Sequence, residues 1–197
     1  MKNILFIKSS LNGDQSHSNM LGQRLISKLN TENALTIIER DLAKDALPHL
    51  TQLEMAAWMT EASQRTSDQA DLAVISDSLV EELLHSDTLV FAIPMYNFGT
   101  PSTFKAWVDR VARAGITFRY TENGPIGLLE NKKVFVVASR GGIHAGTEHD
   151  SQTQFLTDFF AFIGIVDITF IYAEGLNMPG NEVRLSAAQQ EINELTI

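Results

Sequence analysis

The chain of 197 residues contains no cysteine. Disulfide bridges, thiol nucleophiles and thiolate-held metals are therefore excluded. Basic residues are scarce as well: 15 lysines and arginines stand against 24 aspartates and glutamates, a formal net charge of −9. That balance leaves no basic stripe of the kind that holds nucleic acid, and no nucleic-acid partner is expected. An acidic surface favours solubility and slows an anionic partner only in a salt-dependent way. Long hydrophobic runs are missing too. None approaches the roughly 18 residues that read as a membrane-spanning helix, so no membrane partner is expected. The start, Met1-Lys2-Asn3-Ile4, leads straight into a strand pattern, without the longer apolar stretch and small-residue cleavage site of a signal peptide. A cytoplasmic protein is expected. No internal repeat, low-complexity tract or linker interrupts the chain, and its length suits one domain over residues 1–197 with a sizeable core.

What the chain does have is a regular alternation. Short runs rich in Ile, Val, Leu and Phe at residues 4–7, 35–39, 88–93, 134–138 and 166–172 read as buried strands. Nearly continuous apolar runs are expected where both faces of a parallel sheet are covered. Helical periodicities lie over residues 18–29, 68–85, 101–114 and 151–163, with a shorter one at 186–195. Thr100 is placed to cap a helix with Pro101 at its first position. Ser151-x-x-Gln154 and Ser186-x-x-Gln189 fit the capping box, and Gly115 and Gly164 stand where a left-handed residue closes a helix. Alternating strands and helices imply βαβ units. The expected fold is α/β: a flavodoxin-like three-layer α/β/α sandwich with a five-stranded parallel sheet in the order 2-1-3-4-5. Two stretches interrupt the alternation. Residues 40–66, with Pro48 and Trp58, are expected to form one or two helices over part of the sheet. Residues 116–129 alternate Phe118 and Tyr120 with Thr117, Arg119 and Thr121, then turn at Asn123-Gly124-Pro125. They read as a β-like excursion over the carboxyl edge of the sheet.

In a parallel sheet of this order, the loops after strands one, three and four share one edge, and the ligand crevice opens between strands one and three. The first loop, residues 9–19, is rich in hydroxyls and opens a helix. Free N–H groups and a partial positive charge at a helix start favour phosphate, and Ser10, Ser16 and Ser18 could add hydroxyl donors. No Lys or Arg lies between Asn12 and Gln23, and neither a Walker A nor a GxGxxG pattern is present. A nucleoside triphosphate is disfavoured; a terminal monophosphate among neutral donors, such as FMN carries, fits better. The serines could equally just cap the helix and fill a turn. The loop after strand three is Met95-Tyr96-Asn97-Phe98. Asn97 offers donors and an acceptor, and the two rings offer flat faces. The loop suits a planar heterocycle with a hydrogen-bonding edge, as a flavin is, or is an ordinary βα turn. The loop after strand four is Ser139-Arg140-Gly141-Gly142-Ile143-His144. Its glycines let backbone N–H groups approach a planar ligand, or mark a flexible turn. His144 is either a proton donor and substrate-orienting residue or a solvated side chain.

Taken in order, Lys8-Ser9-Ser10, Ser16-x-Ser18-Asn19, Pro94-Met95-Tyr96-Asn97-Phe98, Ala112-Arg113-Ala114-Gly115, the block at 117–125, Ser139-Arg140-Gly141-Gly142-Ile143-His144 and Ala173-Glu174-Gly175 cover nearly the whole chain. In these motifs the sequence resembles the FMN-dependent NADH-azoreductases, flavodoxin-like quinone reductases. The resemblance implies non-covalent FMN with NADH as co-substrate. It implies that Ser10, Ser16, His17 and Ser18 hold the phosphate and ribityl end. It implies that Met95, Tyr96, Asn97, Phe98, Ser139, Arg140, Gly141 and Gly142 hold the ring. It further implies a homodimer with two sites at the interface, where Tyr120 and Phe162 shape the substrate pocket together with His144. Read from the helix periodicity alone, Phe162 is a core residue. Residues 40–66 match the family least.

The expected function is an FMN-dependent oxidoreductase that uses NADH to reduce quinones by two electrons and to cleave aromatic azo compounds to amines, by a ping-pong mechanism. Flavin N5 would carry the chemistry, so no obligatory catalytic side chain and no metal are expected. One alternative is a flavodoxin-type one-electron carrier with protein partners. Another is a nucleotide-binding regulator without flavin. The extra material at 40–66 and 116–129, more than a small carrier needs, favours the enzyme.

Overall fold

The computed structural model describes residues 3–30 and 35–196. Along the chain run β1 (Asn3–Lys8), α1 (His17–Leu29), β2 (Thr36–Asp41), α2 (Gln52–Met59), α3 (Ser67–His85), β3 (Thr88–Pro94), α4 (Ser102–Val111), β4 (Phe118–Thr121), β5 (Gly124–Gly127), β6 (Lys133–Ser139), α5 (Ser151–Phe162), β7 (Asp167–Ala173) and α6 (Asn181–Glu194). Five strands form one parallel sheet in the order β2-β1-β3-β6-β7. Counted within the sheet, this is the expected 2-1-3-4-5. Among the described residues no helix is long and apolar enough to cross a membrane.

The pleat explains why the three inner strands, β1, β3 and β6, are apolar nearly throughout, whereas the edge strand β2 is not. Successive side chains point to opposite faces, and each face has its own core. Leu5, Ile7, Leu89, Phe91, Ile93, Val134 and Val136 pack with side chains of α3, α4 and α5. Ile4, Phe6, Val90, Ala92, Phe135 and Val137 pack with those of α1 and α6. Each of the Val, Leu, Ile and Phe side chains among them, fully buried, contributes roughly 1.5–3 kcal/mol. On the first face Phe91 sits among Phe104, Trp107 and Phe160 with ring centroids 5.8, 5.4 and 5.1 Å away. The Trp107 indole N–H is buried there without an acceptor among the described residues.

Several helix ends differ from the sequence reading. Pro101 is itself the N-cap of α4, and Thr100 does not cap it. Asp150 caps α5 by accepting from the Thr153 amide, because the Ser151 hydroxyl is drawn across to the Phe98 carbonyl. α6 starts at Asn181, five residues earlier than expected, after Gly180 in a left-handed conformation; Ser186 lies inside the helix. α4 ends at Val111 rather than near Gly115. The buried Thr117 hydroxyl takes over the orphan Val111 carbonyl at 2.7 Å and accepts the Arg113 amide at 2.8 Å.

Gly164, in contrast, closes α5 as expected. Its φ is +101°, its N–H donates to the Ala161 carbonyl at 3.0 Å, and the Ile165 N–H reaches the Phe160 carbonyl at 2.8 Å. This is the Schellman pattern. It is also a contact point: a Cβ on Gly127 would stand 2.0 Å from the Gly164 nitrogen. The antiparallel hairpin β4–β5 is therefore clamped to the C-terminal end of α5. That places it at the amino edge of the sheet, not over the carboxyl edge. The reason is topological: α4 runs back from the carboxyl edge, so the chain leaving it emerges at the opposite end.

Residues 40–66 hold α2, with a complete Thr51–Glu54 capping box, and a 3-10 turn at Ala62–Gln64. Two buried arginines of the α4 region tie the segment down. Arg110 pairs with Glu54 at 2.8 Å and donates to the Pro48 carbonyl at 2.9 Å. Arg113 donates to the Trp58 carbonyl at 3.2 Å, lies 4.8 Å over the Trp58 ring, and pairs with Asp77 at 2.9 Å.

Candidate active site

The loops that follow β1, β3 and β6 meet at the carboxyl edge, beside the switch point between β1 and β3. They are bonded to one another. Tyr96 hydroxyl lies 3.3 Å from Ser10 Oγ and accepts the Leu11 amide at 3.0 Å, which joins the first loop to the second. The Met95 amide donates to the Ser139 carbonyl at 2.9 Å, which joins the second to the third.

The first loop enters α1 through Ser16, whose Oγ accepts the Asn19 amide at 3.3 Å and lies 3.0 Å from Ser18 Oγ. Both serines are buried. The amides of His17 and Ser18 have no protein acceptor among the described residues, and His17 Nδ1 is buried without a partner. Lys8, at the end of β1, is already paired. Lys8 is held by Glu39 at 2.6 Å and Asp41 at 3.5 Å, and although burial works to lower its pKa, those two carboxylates outweigh it and raise it. The result is a neutral cradle of hydroxyls and amides at the positive end of a helix, the environment that suits a phosphate monoester.

The second loop is a tight two-residue turn. Tyr96 and Gly99 exchange both backbone hydrogen bonds at 3.0 Å, and the residues between them, Asn97 and Phe98, have φ of +50° and +67°. Two left-handed residues match a type I′ turn, which prefers Asn and then Gly. Phe in the second place costs about 1–2 kcal/mol. Strain of this kind concentrates at functional sites. The turn exposes the Asn97 amide, which makes no bond within the protein among the described residues, and the Phe98 ring. Phe98 meets His144 edge to face at 5.8 Å.

The third loop approaches from the other side. Gly141 and Gly142 let neighbouring side chains close in: a Cβ would stand 2.5 Å from Asn177 Nδ2 and 2.7 Å from His144 Nε2, so a larger residue at either place would displace that side-chain end. Their carbonyls accept the Asn177 and Gly175 amides at 3.1 and 2.8 Å, while their own amides have no protein acceptor among the described residues. Two free N–H groups on this loop and a free carboxamide on the second loop are donors of the kind a pyrimidine-like ring edge requires. The geometry fits FMN: a phosphate cradle of hydroxyls and amides, an exposed aromatic ring at Phe98, and a polar rim.

Arg140 stands behind this surface rather than on it. Its amide donates to the Ala173 carbonyl, and its buried guanidinium bonds Gln152 Oε1 at 3.1 Å, Thr153 Oγ1 at 2.9 Å, Glu174 at 3.0 Å and Asp150 at 2.9 Å, stacked 4.9 Å from the Tyr172 ring. Burial pushes the Asp150 carboxyl up, but the Thr153 bonds and the Arg140 charge outweigh it and hold the group below the ordinary carboxylate range. Glu174 Oε1 also accepts the amides of His144 and Ala145, both at 2.9 Å, and so shapes the loop. Gln152 and Glu174 were not expected from the sequence. Glu174 figures in the sequence reading only within the Ala173-Glu174-Gly175 motif, with no role, and its further signal is position directly after an apolar strand.

Tyr120 and Phe162 are not brought to the cradle of their own chain. Phe118 packs against both, at 5.3 and 4.3 Å between centroids, on the clamped hairpin at the far end of α5. Ser151, at the near end of that helix, bonds Phe98. The helix between them is about 16 Å long.

Residues 2–196 match the profile of a family described as having a flavodoxin-like fold. An FMN-dependent NADH:quinone oxidoreductase of Alteromonas mediterranea is 53% identical over 199 aligned positions, covering 100% of this chain and 99% of the relative. One from Alcanivorax borkumensis is 48% identical, covering 98% of each. Among solved structures, an azoreductase from Bacillus anthracis superposes with a TM-score of 0.88 at 25% identity, over 98% of this chain and 97% of that one. An FMN-dependent NADH-azoreductase of that species, solved in complex with FMN, gives 0.87 at 25% identity over 98% and 97%.

Proposed function

The chain belongs to the FMN-dependent NADH:quinone oxidoreductases, and from that premise we propose that it reduces quinones by two electrons through a single pocket that NADH and the acceptor occupy in turn. It is a flavoenzyme with FMN as cofactor and NADH as electron donor. The observation that supports the pocket best is the convergence of three loops: the neutral cradle at Ser16–Ser18, the Asn97–Phe98 turn and the free amides of Gly141 and Gly142.

When bound, FMN would supply two-electron redox chemistry between NADH and the acceptor. The protein binds and orients. Ser10, Ser16, His17 and Ser18 hold the phosphate and ribityl end. Met95, Tyr96, Asn97, Phe98, Ser139, Gly141 and Gly142 frame the ring. Arg140 supports that frame from behind. A planar acceptor stacks on the exposed Phe98 ring, with His144 set edge to face beside that ring, and His144 or water supplies protons. The balance for a quinone is NADH plus a proton yielding NAD⁺ and hydroquinone. An aromatic azo bond takes four electrons to give two amines, hence two NADH. One pocket serving both substrates in turn is ping-pong. Residues 1–197 act as one three-layer unit in the cytoplasm, paired as a homodimer in which Tyr120 and Phe162 of one chain complete the pocket of the other. That reading accounts for their distance from the cradle of their own chain.

The test is an anaerobic stopped-flow mixing of the FMN-loaded protein with NADH, followed by benzoquinone. Complete bleaching of the flavin absorbance and its full return on quinone addition are expected. No bleaching by either NADH or NADPH would overturn the proposal and leave the one-electron carrier.

A further inference from the structure

We propose that Gln152 is a positioning residue that couples the Asn97–Phe98 turn to the Gly141–Gly142 loop and so fixes where the FMN ring sits; this rests on the flavoenzyme reading above. Gln152 is the second residue of α5, a place where polar side chains ordinarily face water or the free amides of the helix start. Here it is fully buried, and both ends of its amide are used. Nε2 donates to the Pro94 carbonyl at 3.0 Å and lies 3.5 Å from the Gly99 carbonyl; Oε1 accepts Arg140 Nε at 3.1 Å. Pro94 and Gly99 bracket the left-handed pair. The Ser151 hydroxyl, one residue earlier, holds the Phe98 carbonyl between them.

From Gln152 the bonds continue. Arg140 reaches Glu174, and the same Glu174 oxygen accepts the amides of His144 and Ala145. One buried chain of hydrogen bonds thus runs from the carbonyls that frame the second loop to the amides that end the third. A strained turn persists only where its surroundings over-determine it, and Gln152 with Ser151 supplies that constraint. The chemistry demands an amide. A carboxylate in its place would turn an acceptor toward two carbonyls. An apolar side chain of the same volume would leave the Pro94 carbonyl and Arg140 Nε buried without this partner, which is the costly way to lose a hydrogen bond.

The experiment uses the full-length chain with Gln152→Met, and Gln152→Glu of nearly the same shape should the first fail to fold. Gln154→Glu, exposed and bonded only to Asp158 of its own helix, is the control. Amide hydrogen exchange is read at Gly99, His144 and Ala145, with and without FMN, alongside the FMN dissociation constant and the flavin reduction potential. The Gln152 variants are expected to exchange faster at all three amides, to bind FMN about tenfold more weakly, the loss of roughly one hydrogen bond, and to shift the potential, while Gln154→Glu does none of these. Faster exchange at Gly99 with His144 and Ala145 unchanged would overturn the coupling. Unchanged FMN affinity and potential would overturn the positioning role, as would exchange that rises equally across β1, β3 and β6. If the unaltered protein took up no FMN, the flavoenzyme reading would fall, and the positioning of its ring with it, while the exchange data would still decide whether the loops are coupled.

Discussion

Asn97 shows how one residue can serve backbone and ligand together. Its φ of +50° is tolerated by Asn and Gly and resisted by Ala, while its carboxamide is exposed and unbonded among the described residues. Two substitutions separate these roles. Asn97→Gly keeps the turn and loses the side chain; Asn97→Ala loses both. Each is expected to weaken FMN binding by about tenfold, as the ring edge loses a partner, and only Asn97→Ala should also destabilise the fold, by about 1 kcal/mol. Flavin titration and thermal melts check this; tight FMN binding by Asn97→Gly would assign the residue to the backbone alone. At this scale the sequence reading was good where residue type announces chemistry. Hydroxyls before a helix, a carboxamide in a loop and paired glycines all sit where expected, at one edge. It was poor where value lies in distant contacts. Nothing local to Gln152 says that Pro94 and Arg140 will be its partners, 58 and 12 residues away, and Arg140, expected on the ring, turns its guanidinium to Gln152, Thr153, Asp150 and Glu174 behind it.

Among the elements, strands and helices were legible because burial on two faces and helical periodicity leave strong marks in the order of residues. Their ends were less so. Ser151 and Thr100 each carry a hydroxyl in the right place for a cap. In the fold Ser151 is claimed by a carbonyl across the crevice, and Asp150 caps instead. The hairpin was recognised as β-like but assigned to the wrong edge, since sequence does not show which end of α5 will receive Gly127. Acid sensitivity belongs to this scale as well. In Asp150, Asp77 and Glu54, burial would raise the pKa, but hydrogen bonds and arginine partners outweigh it and hold all three below the ordinary carboxylate range. The fold therefore favours their charged forms. Their contribution is complete above the unfolded value of about 4 and drains away as pH falls through the lower folded values. Asp150→Asn should be less stable than the unaltered chain at neutral pH, with the gap narrowing toward pH about 3. Urea midpoints at several pH values test this, and a gap that stayed constant would contradict it.

For the whole molecule, the proposed homodimer is what would bring Tyr120 to a cradle that it does not reach in its own chain. If a second chain supplies Tyr120 and Phe162, Tyr120→Ala should raise the KM for quinone while leaving FMN affinity and mass by light scattering unchanged. Specific activity of the unaltered protein should fall on dilution as dimers part. A monomer with full activity would refute the arrangement. The placement of the two tryptophans has a different consequence. Trp107 lies in an apolar aromatic box with its N–H unbonded, and Trp58 lies half-buried on α2 under the guanidinium of Arg113. The protein is in effect wired with two intrinsic fluorophores of different colour, one reporting the core and one reporting the strap over residues 40–66. Loosening of that strap would register optically while the core signal stayed silent.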